Sequence, residues 1–327
     1  MSALPRRIAA VGAGRMGRGI ALAFAYAGHE IAVVDLKARE PAAWRSLRDD
    51  AFAEMRASLE MLAELEAMPR DAIARVLGRI RLVPESEAAN ALAQAEVVFE
   101  GVPETLAAKQ EVFARLCALV PPDAIIASTT STILPGDLAA FATHPQRVLN
   151  AHWLNPAFVI PLVELSAHAN TAHAAIARLR GLLEDIGKVP VLCAAAPGYI
   201  VPRLQALVMN EAARMVEEGV ASPEDIDRAT RYGLGLRFAA LGVIEFIDYG
   251  GNDILYYASR YLAEHLSRER YQAPAIVERL MREGRNGLRS GEGFYDYRGR
   301  DLQAYRRDVL GRTLGQLRHA GLYRPPR

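Results

Sequence analysis

The chain is nearly without lysine: of its 39 basic residues only Lys37, Lys109 and Lys188 are lysines. Cysteine is equally scarce. Cys117 and Cys193 lie far apart with no CxxC pair, which excludes a disulfide scaffold, argues against a metal site and points to a reducing compartment with buried thiols. Neither sign of charge prevails, since the 39 basic and 38 acidic residues are mixed along the chain and leave a formal charge of +1. No global field therefore draws in nucleic acid or an anionic membrane. No uninterrupted apolar run approaches the roughly 18 to 20 residues that span a bilayer. The apolar stretch after Arg6 and Arg7 is broken by Arg15, Arg18, Gly12, Gly14, Gly17 and Gly19, which is not the pattern of a secretory signal. Low-complexity tracts and fixed-period repeats are missing too. A cytoplasmic globular protein with neither membrane nor nucleic-acid partners is expected.

What is present suffices for two cores. A length of 327 residues with 51% hydrophobic and 24% charged positions predicts two ordinary globular domains. From Arg7 to Asp35, an apolar run, a glycine-rich turn, about two helical turns and a second apolar run ending in an acid form a βαβ pattern. Residues 41 to 80 alternate charged and apolar positions at helical spacing, broken at Pro69, and predict a helical hairpin inserted in the sheet. Short strands are expected at Val97–Phe99, Ala124–Ser128, Val148–Ala151, Leu162–Leu165 and Val189–Leu192. From Arg203 onward the period is helical, and Ser222-Pro223-Glu224-Asp225 has the composition of a helix start. The expected fold is an α/β Rossmann domain with a helical-hairpin insertion over residues 1–195 and an all-α domain over residues 196–327.

Gly12-x-Gly14-x-x-Gly17 follows the first apolar run directly and opens the helix. In a dinucleotide fingerprint the first glycine permits the turn, the second lets the backbone approach a pyrophosphate, and the third lets helix and strand pack closely. Arg15 and Met16 complete the turn, whose N–H groups would face the phosphates. The triplet alone is weak evidence; the strand, the helix and Asp35, eighteen residues beyond Gly17, make it specific. A carboxylate there accepts from the adenosine ribose hydroxyls and repels a 2′-phosphate, so NAD is the expected cofactor. Lys37 and Arg39 nevertheless lie near enough in sequence to accept a phosphate.

The segment NAHWLNPAFVIPLVEL sets His152 at a strand end, Asn155-Pro156 just after it and Glu164 on the next apolar strand. Taking a hydroxyl proton near neutral pH suits imidazole, and a carboxylate on its second nitrogen would fix the tautomer. On residue chemistry alone, a strand-end histidine and a glutamate in an apolar strand are more often structural.

Taken with the glycine fingerprint, these segments resemble the 3-hydroxyacyl-CoA dehydrogenase superfamily over residues 7 to 297. The resemblance rests on His152-x-x-Asn155-Pro156 with Glu164 twelve residues after the histidine, on Ser128-Thr129-Thr130-Ser131, on VPETLAAK with Glu104 and Lys109, and on GYIVPRL, GVIEFID and SGEGFYDY. It implies a helical C-terminal domain that forms a homodimer. It implies NAD-dependent oxidation at C3 of a short-chain (S)-3-hydroxyacyl-CoA, such as 3-hydroxybutyryl-CoA, in fatty acid metabolism. It further implies His152 as acid/base, Glu164 as its orienting partner and Asn155 beside the substrate. Ser131 would lie between substrate oxygen and nicotinamide, with Glu104 and Lys109 lining the nicotinamide ribose.

The match departs in two places. Pro202 stands where the superfamily usually carries an asparagine that contacts the substrate oxygen, and proline offers no donor. IPLVEL, with Pro161 in a frequent lysine position, and GLGLRFAALG resemble the branch containing gulonate dehydrogenase and lambda-crystallin. In the latter stretch Arg237 could bind a free carboxylate bidentately, or equally be a helix-end arginine at a surface. A free 3-hydroxy acid of gulonate or carnitine type is the alternative substrate, and a non-catalytic NAD-binding protein is a third reading. Enzymes of the 3-hydroxyisobutyrate and 6-phosphogluconate type need a lysine near the start of the helical domain; the last lysine here, Lys188, precedes it.

Overall fold

The computed structural model describes residues 7–326, and the chain divides into two compact units, Met1–Val208 and Met209–Arg327. The first unit is built on strands β1 (Ile8–Val11), β2 (Ile31–Val34), β3 (Ile80–Val83), β4 (Val97–Glu100), β5 (Ile125–Ser128), β6 (Val148–Trp153), β7 (Leu162–Ala167) and β8 (Val189–Ala194). They form one eight-stranded sheet in the order β3-β2-β1-β4-β5-β6-β7-β8. Every pairing is parallel except β6 with β7, which is antiparallel. The order reverses between β1 and β4, which opens a crevice beyond their carboxyl ends.

The intervening helices are α1 (Arg15–Tyr26), α2 (Pro41–Glu64), α3 (Ala72–Leu77), α4 (Ala88–Leu92), α5 (Leu106–Leu119), α6 (Pro135–Ala139) and α7 (His173–Asp185). Strand alternation sends Ile8 and Ala10 into a core shared with α1, α2, α3 and α7. Ala9 and Val11 enter a second core with α4, α5 and α6. Both faces of the sheet are covered, so its strands read as continuous apolar runs.

Two expectations change. The inserted hairpin is one long helix, α2, and one short helix, α3; its predicted end at Ile80 belongs to an unforeseen edge strand, β3. Four residues are too few to displace a helical period, and it is pairing with β2, Ile31 opposite Ile80, that makes Ile80–Val83 a strand. Neither thiol is buried as expected: Cys117 on the flank of α5 and Cys193 on the sheet-edge strand β8 are both half-exposed. The division into two units falls inside α8 (Val201–Glu217), whose start is bonded to β7 through Glu164.

The second unit continues with α9 (Pro223–Ala229), α10 (Leu236–Ala240), α11 (Val243–Gly250), α12 (Asn252–His265), α13 (Arg268–Tyr271), α14 (Ala275–Arg282) and α15 (Leu302–His319). Ser222 caps α9 by accepting from the Asp225 N–H, with Pro223 at the first helical position, as its sequence predicts. A π-helical turn, Thr230–Gly235, precedes α10. Asp248 on α11 is fully buried; its carboxylate accepts from the N–H groups of Phe294 at 2.9 Å and Tyr295 at 2.8 Å. This ties GVIEFID to SGEGFYDY, two segments about fifty residues apart that sequence alone leaves unconnected.

Asp248→Ala strips two N–H groups of their acceptor and should destabilise the second unit by about 2–4 kcal/mol. Urea denaturation followed by far-ultraviolet circular dichroism reads the loss; an unchanged helical transition contradicts it.

Candidate active site

The glycine-rich turn leaves β1 at the crevice. Gly12 has φ +104°, and a Cβ there would meet the Gly101 carbonyl oxygen at 2.7 Å; one on Gly17 would meet the Gly12 oxygen at 2.0 Å. Both positions therefore require glycine. Gly14, by contrast, has nothing within 4 Å of an added Cβ, so open space lies where a ligand backbone would approach the α1 N-terminus. Gly12, Gly14 and Asp35 line one cleft of about 730 Å³, together with Arg18, Lys37, Arg39, Gly101 and Arg115. Asp35 is nearly buried and accepts from the Lys37 N–H at 3.2 Å and from Arg39 Nε at 2.5 Å. These residues fit a dinucleotide: tight turn, free helix terminus and strand-end acid surround one space of suitable kind. Met16 packs against the core beside the turn. Arg15 lines a separate pocket of about 150 Å³ with Asn155, Glu54 and Ser58, and the Asn155–Pro156 peptide bond is cis.

His152 and Glu164 face one another in the antiparallel β6–β7 register. His152 Nδ1 lies 2.8 Å from Glu164 Oε2, while Glu164 Oε1 accepts from the N–H groups of Ile200 at 2.9 Å and Val201 at 2.8 Å. Glu164 is fully buried and thus sits at the amino end of α8 with its charge answered on both oxygens. Among the described residues His152 Nε2 has no hydrogen-bond partner. Pro202 occupies the first turn of α8, where a missing N–H costs the helix nothing.

Sequence reasoning overlooked the residues that join this pair to the neighbouring loops. Tyr199, whose φ is +45°, stacks on the His152 ring with centroids 5.2 Å apart. Its hydroxyl donates to the Thr130 carbonyl at 2.9 Å and accepts from Asn150 Nδ2 at 2.9 Å. Burial pushes the phenol pKa up, so the hydroxyl stays a donor. Thr130 Oγ1 in turn bonds the Glu104 carboxylate, which also accepts from the N–H groups of Ser131 at 2.9 Å and Thr132 at 3.2 Å. Burial opposes the Glu104 charge, but hydrogen bonds from Thr130 and Thr132 and the Lys109 ammonium outweigh it and hold the carboxyl below its ordinary 4.5.

Lys109 is fully buried and turned toward Glu100, at 2.8 and 3.0 Å from its two oxygens, and stands 3.6 Å from Glu104. Glu100 also accepts from Ser128 Oγ at 2.6 Å and the Val102 N–H at 2.7 Å. An acid closing the apolar run VVFE was the sequence signal for it. Lys188 donates to the carbonyls of Ala157 and Ile160 at 2.7 and 2.8 Å and so holds the loop after His152. Burial lowers its pKa. Arg237 lies apart from these residues in sequence and belongs to the second unit, where Nε donates to the Gly233 carbonyl at 2.6 Å and the guanidinium lies 5.0 Å from the Phe246 ring centre. Among the described residues no group of three or more metal-ligating side chains occurs, and no helix is long and apolar enough to cross a membrane.

Turn, switch point and strand-end acid together define a Rossmann-type dinucleotide-binding protein. Comparison with known families carries this further: the NAD binding domain of 3-hydroxyacyl-CoA dehydrogenase matches residues 7–196, and the C-terminal domain of the same family matches residues 198–297. The chain belongs to the 3-hydroxyacyl-CoA dehydrogenase family and is an NAD-dependent dehydrogenase acting on a CH–OH group. It is 36% identical to a 3-hydroxybutyryl-CoA dehydrogenase of Mycobacterium tuberculosis over 91% of this chain and 100% of that one. It is 32% identical to the 5-formyl-3-hydroxy-2-methylpyridine 4-carboxylate 5-dehydrogenase of Mesorhizobium japonicum, over 94% of this chain and 99% of that one. A crystal structure of a 3-hydroxyacyl-CoA dehydrogenase from Archaeoglobus fulgidus superposes with a TM-score of 0.74 at 32% identity, covering 97% and 99% of the two chains.

Because the Glu104 pKa is depressed by folding, its tether to residues 130–132 stabilises the protein above about pH 4.5 and is lost as pH falls through the lowered folded value. Glu104→Gln should therefore be less stable than wild type near neutral pH, with the difference closing in acid. Parallel stability curves across that range would contradict the assignment.

Proposed function

We propose that the chain catalyses reversible hydride transfer between NAD and C3 of a short-chain (S)-3-hydroxyacyl-CoA, with (S)-3-hydroxybutyryl-CoA as the reference substrate. The observation that carries this reading is the contact between His152 Nδ1 and the buried Glu164 carboxylate at 2.8 Å. An ionised carboxylate only accepts hydrogen bonds, so Nδ1 carries the proton and Nε2 presents its lone pair. When bound, the nicotinamide ring supplies the hydride acceptor. His152 Nε2 takes the hydroxyl proton as the carbon gives up hydride, and returns it in the reverse direction. Glu164 stabilises the resulting imidazolium, and its two backbone donors keep it from turning away. Ser131, on a loop tied to Glu104, holds the substrate oxygen, and Asn155 lies beside the substrate. Gly12, Gly14, Arg15, Met16 and Gly17 cradle the pyrophosphate, and Glu104 with Lys109 supports the nicotinamide ribose.

A second reading, oxidation of a free 3-hydroxy carboxylate, is favoured by Arg237. Its Nε is committed to Gly233, which leaves the terminal guanidinium nitrogens for a carboxylate. Pro202, standing where the acyl-CoA enzymes usually carry an asparagine, fits a substrate that differs from theirs. We propose further that residues 1–195 and 196–327 act as cofactor and substrate/dimerisation domains of a cytoplasmic homodimer. Ile254, Tyr257 and Tyr261 support the dimer: they recur at helical spacing along α12 and are 61%, 56% and 62% exposed.

Reduction of NAD, followed by absorbance with (S)-3-hydroxybutyryl-CoA and a panel of free 3-hydroxy acids, tests the substrate. Turnover of the thioester with none of the free acids is expected; turnover confined to a free acid replaces the first reading with the second. His152→Ala should abolish turnover. Glu164→Gln should lower kcat by about 10²- to 10⁴-fold while NADH binding persists.

Introducing charge into the α12 stripe with Tyr257→Asp should convert the dimer to monomer in light scattering. An unchanged mass would move the interface elsewhere.

A further inference from the structure

We infer that Arg39 makes the adenosine-ribose end of the cofactor cleft a latent site for a 2′-phosphate, and that the Asp35–Arg39 ion pair weakens the preference for NAD that the charge of Asp35 alone would impose. Rejection of a 2′-phosphate by a strand-end acid relies on an uncompensated negative charge. Asp35 carries its own counter-ion: Arg39 Nε lies 2.5 Å from Oδ2, the two side chains being 9% and 30% exposed. A third charge at the ribose meets a nearly neutral pair, and the repulsion that would exclude it is largely cancelled.

The other arginines of the cleft are committed elsewhere. Arg18 bonds the Ala13 carbonyl and Glu54; Arg115 bonds the Leu36 carbonyl and Glu85. Arg39 uses Nε alone, and among the described residues its two terminal nitrogens have no hydrogen-bond partner. Those nitrogens form the fork that matches phosphate oxygens. Asp35 Oδ1 accepts only the Lys37 N–H, at 3.2 Å, so capacity remains for ribose hydroxyls and NAD binding is not impeded. Lys37 is exposed and forms no ion pair among the described residues, which makes it a control for the loss of one positive charge.

The test is fluorescence titration of NADH and NADPH, without substrate, for wild type, Arg39→Ala, Lys37→Ala, Asp35→Ser and the Asp35→Ser/Arg39→Ala double variant. Arg39→Ala should weaken NADPH about tenfold and NADH less than about threefold, so that NAD preference sharpens on loss of a cation. Lys37→Ala should leave the NADPH-to-NADH ratio within about twofold. Asp35→Ser should tighten NADPH, and the double variant should lose that gain. An unchanged ratio in Arg39→Ala, an equal shift in Lys37→Ala, or a gain that survives in the double variant overturns the proposal. Should Asp35→Ser fail to fold, the partly exposed Arg39→Ala decides alone. Because only cofactor binding is read, the outcome is independent of which hydroxy substrate the enzyme takes.

Discussion

A carboxylate removed wholly from water persists as an anion only if its oxygens are answered by donors. Glu164 meets that condition with one imidazole nitrogen and the two N–H groups that begin α8. Three elements converge on this side chain: β7 carries it, β6 brings His152 opposite, and α8 starts against it. The direction of β7 matters here. Among the described residues β6 and β7 form the one antiparallel junction of the sheet, and antiparallel pairing sets directly opposed residues on the same face. Glu164 thus orients a ring, anchors a helix start and explains why the first turn of α8 stays with the sheet.

A second buried charge organises the loops on the cofactor side. Glu100 and Lys109 lie fully buried, and Ser128 and the Val102 N–H complete the shell of the carboxylate. Above it Glu104 gathers residues 130 to 132, and Tyr199 links Thr130 to the His152 ring. Hydrogen bonds therefore run almost without a break from the cofactor loops to the His152–Glu164 pair, with a ring stack as the last step. Such a network is costly if partly satisfied and rigid when complete. Pro202 fits the same logic, since proline in the first turn of a helix preserves the fold.

The parts legible in the sequence are those that local chemistry dictates. The glycine fingerprint, its strand and helix, the strand-end Asp35, the Ser222 cap and the strands from Val97 onward follow from period, propensity and steric need. His152 and Glu164 were readable as a pair because their motif spacing resembles a family. Their hydrogen bond, and the two backbone donors on Glu164, were not. Strand β3 escaped because four residues carry too little periodicity against a helical neighbourhood, and its pairing partner lies about fifty residues away.

Residue order therefore settled which chemistries the chain can host: a dinucleotide turn, an imidazole and its carboxylate. Tertiary structure decided what each group faces. Lys109 looks inward to Glu100, Arg39 closes on Asp35, and Tyr199 lies flat on His152. None of these contacts has a local signature, because each joins residues whose proximity is set by sheet order and loop closure rather than by their neighbours in the chain.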